Sequence, residues 1–189
     1  MNPKIWIQDI DGCLNDYPNE FVAWAAELCS TSFKDLNDMK AKLSSDEYQK
    51  VKDTYRSSGQ KRRLTILPEA RDVLAKVAKT HQIWVVTSRP VIHQVEADTE
   101  FWLKKNEINF TNLIFNDAKA DLLLEHKDDI DFIVDDDFSH CTSYSKHYKN
   151  SKIILMNIHN KKHQPLDGVY ECKNWSEINK LYERSNEKN

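Results

Sequence analysis

Ile5-Trp6-Ile7-Gln8-Asp9-Ile10-Asp11-Gly12 is the stretch on which the fold turns: a short apolar run delivers one aspartate, and a second follows two positions later with a glycine behind it. The run reads as a buried strand. At the end of a strand, residues i and i+2 point the same way, so Asp9 and Asp11 would face one another across a narrow site. Like charges that close require a cation or a shared proton, and a metal ion is the economical answer. Gly12 would let the chain turn sharply past them.

Similar apolar runs recur at Ile83-Trp84-Val85-Val86, Leu113-Ile114-Phe115, Phe132-Ile133-Val134 and Ile153-Ile154-Leu155-Met156. Helical patterns lie between them. Ala70, Val73, Leu74, Val77 and Ala78 share one face after Pro68, and Ile92, Val95, Thr99, Trp102 and Leu103 another after Pro90; shorter helices are expected over 119–126 and 138–148. Alternating strands and helices predict an α/β fold, a Rossmann-like parallel sheet with helices on both faces, whose ligands bind at the carboxyl ends of the strands. The first two strands are separated by residues 8–82, far more than the ~10–12 that a crossover needs, so something is inserted. Phe21, Ala25 and Leu28, then Leu36, Met39 and Leu43, then Tyr48, Val51 and Tyr55 each fall at helical spacing, with Ser44 and Glu47 placed as a capping box. These assign a small helical cap to residues 17–65 and the catalytic core to residues 1–16 and 66–189, with a hinge over 56–63 and a frayed tail from Ser185.

The remaining strand ends carry chemistry of the same kind. The second strand stops at Thr87-Ser88-Arg89, the third leads to Lys119 at a helix start, and the fourth delivers Asp135-Asp136-Asp137 to the same rim as Asp9. A hydroxyl, a cation and a group of carboxylates thus converge at one end of the sheet.

Composition narrows the alternatives. With 189 residues the chain can bury a core, and a formal charge of -3 gives no general reason to bind nucleic acid or an anionic membrane. Three glycines, Gly12, Gly59 and Gly168, cannot assemble a P-loop or a dinucleotide-binding G-x-G-x-x-G. The start of the chain is too acidic for a signal peptide and no run approaches the roughly 20 apolar residues of a membrane span, so a soluble, cytoplasmic protein is expected. Cys13, Cys29, Cys141 and Cys172 are scattered without Cys-x-x-Cys spacing and read as reduced thiols. His140, Cys141, His147, His159 and His163 form no complete zinc pattern. Trp6, Trp84 and Trp102 read as packing residues.

The order D-x-D-G-x-L, an apolar strand to Thr, a Lys, and an apolar strand to Asp-Asp resembles the haloacid dehalogenase (HAD) superfamily of phosphotransferases over nearly the whole chain. Within it the chain is most similar to the 5'(3')-deoxyribonucleotidase-like branch, on DIDGCLNDYP, Leu67-Pro68-Glu69-Ala70, VVTSRP, KADLL, DFIVDDD and Asn174-Trp175-Ser176-Glu177-Ile178. It departs from that branch in having Asp137 where an Arg often follows the acidic pair. The resemblance implies Asp9 as nucleophile, Asp11 as general acid and base, Thr87 as phosphate-binding hydroxyl and Lys119 as phosphate-binding cation; Ser88, beside Thr87, is expected to hydrogen-bond the phosphoryl oxygens with it. It also implies Mg²⁺ held by Asp9, the Asp11 carbonyl, and Asp135 or Asp136.

On that footing the expected activity is hydrolysis of a nucleoside monophosphate through an aspartyl-phosphate, the substrate being a small phosphate ester rather than a stably bound nucleic acid. Tyr17, Phe21 and Trp24 could reach the cleft; Tyr17 is the candidate for stacking on a base, while Phe21 and Trp24 read as cap core. Arg56, Lys61, Arg62 and Arg63 read as a solvated hinge. Two alternatives stay open, a polynucleotide end phosphatase and a phospho-accepting module without catalysis.

Overall fold

The computed structural model describes residues 3–187. Six strands form one parallel sheet: β1 (Lys4–Gln8), β2 (His81–Thr87), β3 (Asn112–Phe115), β4 (Ile130–Asp135), β5 (Lys152–Met156) and β6 (Val169–Cys172), in the order β3-β2-β1-β4-β5-β6. Strands β1, β2, β4 and β5 are apolar because helices cover both faces. One face, including Trp6, Ile83, Val85, Phe132, Val134 and Ile154, packs against α4 (Ala70–Val77), α8 (Trp175–Asn186) and Trp102 and Leu103 of α5 (His93–Lys105). The other, including Ile5, Ile7, Val86, Ile133 and Leu155, packs against Ala120 of α6 (Lys119–Leu122), Leu123, and Cys141 and Tyr144 of α7 (Phe138–His147). The expected α/β architecture is therefore present. The chain passes from β3 at one edge to β4 beside β1, so the topological switch lies between β1 and β4, where Asp9 follows one strand and Asp135 ends the other.

Between β1 and α4 stand α1 (Asn19–Cys29), α2 (Leu36–Lys42), α3 (Ser45–Ser57) and a 3-10 turn, Gln60–Arg62. The capping box before α3 forms: the Glu47 amide donates to the Ser44 hydroxyl at 3.3 Å, and the Ser44 amide donates to Glu47 Oε2 at 2.9 Å. Phe21, Met39, Val51 and Tyr55 are buried between the helices, whereas Leu28 is exposed. The two passages into and out of this insertion run together, with the Leu67 amide bonded to the Leu14 carbonyl at 2.8 Å and Asn15 paired with Ile66.

Several local expectations differ from the structure. β6 has no continuous apolar run: Val169-Tyr170-Glu171-Cys172 is an edge strand, half-exposed, entered through Gly168 at positive φ. The expected helix over 119–126 is split into α6 and a 3-10 turn, Leu124–His126, and Ile92 caps α5 in the open rather than joining its buried face. The tail expected to fray from Ser185 continues α8 through Asn186; its last residues, 188 and 189, lie outside the described residues, as do 1 and 2. All four cysteines are free.

At the amino end of β2, His81 Nδ1 lies 2.8 Å from the Thr80 hydroxyl and its Nε2 3.2 Å from Asp131. The hydrogen bond from His81 holds the Asp131 carboxyl below its ordinary range. Its folded pKa is therefore depressed, so the stability it contributes is complete above the unfolded value near ~4 and is lost as the pH falls through the folded one. Asp131→Asn is expected to lower stability by under about 1 kcal/mol at pH 7, because the pair is partly solvated, with the difference shrinking toward pH 3. Urea unfolding at the two pH values measures this, and a difference that grew on acidification would contradict it.

Candidate active site

Asp9 continues directly from β1, its amide bonded to the Val134 carbonyl at 3.0 Å, so the two central strands set its position. Its side chain is 7% exposed and accepts from Lys119 Nζ at 2.7 Å; the same ammonium donates to Asp135 Oδ2 at 2.9 Å. Lys119, itself only 2% exposed, thus bridges two buried carboxylates carried by strands adjacent in the sheet. Burial pushes the Asp9 carboxyl up to about 6 even against Lys119, with Asp135 and Asp11 adding to the rise. Burial would lower Lys119, but Asp9 and Asp135 hold its ammonium well above the usual amine range.

The two adjacent aspartates after β4 differ sharply. Asp135 uses its oxygens on Lys119, the Asp137 amide at 3.0 Å, the Tyr144 hydroxyl at 3.3 Å and His140 Nδ1 at 3.3 Å, and despite burial Lys119 and His140 keep it below the ordinary range. Asp136 has no hydrogen-bond partner among the described residues, and burial beside Asp9 and Asp135 raises it well above that range. Oxygens of Asp9 and Asp136 and the Cys13 sulfur lie within 4.8 Å of one another. Gly12, at φ +85°, passes so close to the Asp136 carboxylate that a Cβ there would collide with it. Only glycine fits between the two acidic segments. The donor chemistry suits a hard divalent cation, with Asp9 and Asp136 as oxygen donors lacking a counter-charge between them. Burial, with Asp136 and Asp9 alongside, pushes the Cys13 thiol well above its usual value, so it adds no thiolate.

Asp11 is turned to a different set of partners. Arg89 grips both its oxygens, Nε to Oδ2 at 2.9 Å and Nη2 to Oδ1 at 2.5 Å; Lys61 Nζ adds 3.2 Å and Asn15 Nδ2 3.2 Å. Burial alone would raise Asp11, but Arg89 and Lys61 hold it far below the carboxylate range. In this arrangement it is ionised and its oxygens are taken by the two cations.

A cleft of about 270 Å³ brings together Asp9, Asp11, Thr87, Ser88, Lys119, Asp135, Asp136 and Tyr17. All the residues expected at the site from the sequence therefore share one opening. Thr87 is buried at the end of β2 and Ser88 is exposed beside it. Tyr17 stacks on Phe21 with ring centres 6.0 Å apart. Phe21 is fully buried and still borders the cleft, whereas Trp24 packs on Tyr55 at 5.2 Å.

Lys61, Arg89 and His140 are among the contributors not expected from the sequence. Lys61, read there as part of a solvated hinge, is 5% exposed and reaches Asp11; the next residue, Arg62, binds the buried Asp98 of α5, which fixes the turn. Arg89 follows Thr87 by two positions, the same i, i+2 relation that pairs Asp9 with Asp11, and that spacing could have identified it. His140, considered only for zinc, lines the cleft from the first turn of α7, whose N-cap is Asp137.

The profile of a family described as "5' nucleotidase, deoxy (Pyrimidine), cytosolic type C protein" matches residues 4–187. No curated protein sequence matches. Among solved structures, a haloacid dehalogenase-like hydrolase, SP0104 from Streptococcus pneumoniae, superposes with a TM-score of 0.66 at 14% identity, covering 95% of this chain and 98% of that one. The HAD-hydrolase YfnB from Bacillus subtilis, solved bound to magnesium, gives 0.66 at 12% identity over 96% and 99% of the two chains. A 2-haloacid dehalogenase from Pseudomonas syringae gives 0.58 at 16% identity over 96% and 99%. At these identities the structural likeness speaks to fold.

Proposed function

We propose a function from one premise: the chain belongs to the 5' nucleotidase, deoxy (pyrimidine), cytosolic type C family, a branch of the haloacid dehalogenase-type hydrolases. It is a Mg²⁺-dependent phosphomonoesterase that hydrolyses nucleoside monophosphates through an aspartyl-phosphate, working in the cytoplasm. The observation that carries this reading is the meeting of Asp9 and Asp136 within 4.8 Å beside a lysine that already neutralises Asp9 and Asp135.

Mg²⁺ would be held by Asp9, Asp136 and the Asp11 carbonyl, and when bound it supplies charge neutralisation for the phosphoryl oxygens and the attacking carboxylate. Asp135, occupied by Lys119 and His140, supports the lysine instead. Asp9 attacks phosphorus, and the bond to the leaving oxygen breaks as the new P–O bond forms. Thr87, Ser88 and Lys119 hold the phosphoryl oxygens. Asp11 takes the proton of the water that hydrolyses the aspartyl-phosphate, a role that release of its oxygens by Arg89 and Lys61 would strengthen by raising its basicity. To protonate the leaving alkoxide first, it must part from Arg89 and Lys61 and take up a proton from solvent, and an arriving phosphate dianion competes for both cations. The insertion over 17–65 acts as the cap that covers the substrate, with Tyr17 placed to stack on the base.

A phosphate-release screen with and without Mg²⁺ tests the reading across nucleoside 5'- and 3'-monophosphates, sugar phosphates and phosphorylated oligonucleotides. Turnover of nucleoside monophosphates that chelation abolishes is expected. Turnover of sugar phosphates alone would end the nucleotide assignment, and metal-independent turnover would end the role given to Mg²⁺.

A further inference from the structure

The six residues that the insertion contributes to the cleft are Tyr17, Phe21, Lys52, Tyr55, Arg56 and Lys61: three aromatic, three cationic, no acid. Lys61 is paired with Asp11. Lys52 and Arg56, one turn apart on α3, are not used by the chemistry above. Lys52 is half-buried with no hydrogen-bond or ion-pair partner among the described residues, and burial next to Arg56 and Lys40 lowers its ammonium below the usual range. Among the described residues Arg56 pairs only with Asp53, at 3.2 Å, a carboxylate that is 59% exposed. Between them on the helix, Tyr55 is 3% exposed and its hydroxyl has no partner among the described residues. A neutral nucleoside leaving group would need the aromatic faces but would leave Lys52 without a counter-charge and Arg56 with that of the exposed Asp53.

We infer that the substrate carries a second anionic group on the fragment that leaves, a terminal phosphate held by Lys52 and Arg56 with the Tyr55 hydroxyl donating to it. This rests on the phosphomonoesterase reading and extends it, with bisphosphorylated nucleosides or compounds of like charge preferred over monophosphates. In the reaction the scissile P–O bond breaks and water supplies its hydroxyl to phosphorus and a proton to the leaving oxygen. The second phosphate departs intact on the alcohol product.

The test measures kcat/KM of the full chain with Mg²⁺ for a nucleoside 5'-monophosphate, its 3',5'-bisphosphate and a 5'-phosphorylated dinucleotide, with p-nitrophenyl phosphate as a control for the chemistry. The bisphosphate is expected to exceed the monophosphate by about tenfold or more, the effect of charge-assisted contacts to one phosphate, and this ratio should fall toward one in Lys52→Gln and Arg56→Gln. Equal turnover of the two nucleotides would overturn the inference, as would variants that lower both alike, since the cations would then only steer anions inward. A gain confined to the dinucleotide would also overturn it in favour of a strand's bridging phosphate. If no ester is turned over, the phosphomonoesterase reading fails by itself. The ratio of Kd values of the same nucleotides for Asp9→Asn protein with Mg²⁺ then decides the inference: a preference for the bisphosphate upholds it, and equal or absent binding overturns it.

Discussion

Asp9→Asn is expected to lower phosphate release by about 10³-fold or more while leaving a folded protein, because the amide keeps the shape of the carboxylate and loses the charge that attacks phosphorus. The surroundings offer no replacement. Asp136 lies near the same position, but it is one of the carboxylates that would hold Mg²⁺, and its charge would be spent on that ion rather than on phosphorus. Cys13 is the other nucleophile in the cluster, and its thiol, buried beside Asp136 and Asp9, is kept protonated. Asp11 is clamped by Arg89 and Lys61. Single-turnover kinetics on the variant, with circular dichroism to verify the fold, would measure the loss. Turnover within tenfold of the unsubstituted protein, with the same metal dependence, would remove the aspartyl-phosphate from the mechanism.

Much of this site can be read along the chain because strand ends are local features. An apolar run long enough to be buried, followed at once or one residue later by a polar side chain, places that side chain at the carboxyl edge of a parallel sheet, and Thr87, Asp135 and, past Gln8, Asp9 satisfy that description. What cannot be read is which side of a junction each residue faces. In Lys61-Arg62-Arg63 nothing nearby says that Lys61 turns inward; its direction is set by Asp11 from the first strand and by Asp98 of α5 holding Arg62. The same holds for Asp135 and Asp136, alike in sequence, one taken by Lys119 and one left open to a cation. β6 escapes for another reason: an edge strand needs no continuous apolar run, since one of its sides never meets the core.

Lys119→Met should produce the largest combined effect on stability and activity. Lys119 stands 2.7 Å from Asp9 and 2.9 Å from Asp135, and all three side chains are under a tenth exposed. Methionine fills much of the volume but removes the cation that Asp9 and Asp135 share, leaving Asp9, Asp135 and Asp136 to repel one another in a desolvated corner. Breaking a buried pair by deleting one partner costs about 3–5 kcal/mol, which in a chain of this size corresponds to a fall in Tm of roughly 6–20 °C. Since the destabilisation is excess negative charge, added Mg²⁺ should recover part of the lost Tm, and more of it than the ion adds to the unsubstituted protein. Turnover should still fall by about 10²-fold or more, because a metal bound between Asp9 and Asp136 does not replace an ammonium positioned for the phosphoryl oxygens. Differential scanning calorimetry with and without Mg²⁺, paired with kcat measurements, separates the two losses. An unchanged Tm in metal-free buffer would mean that the lysine does not hold these carboxylates together in solution, and the electrostatic account of the site would fall with it.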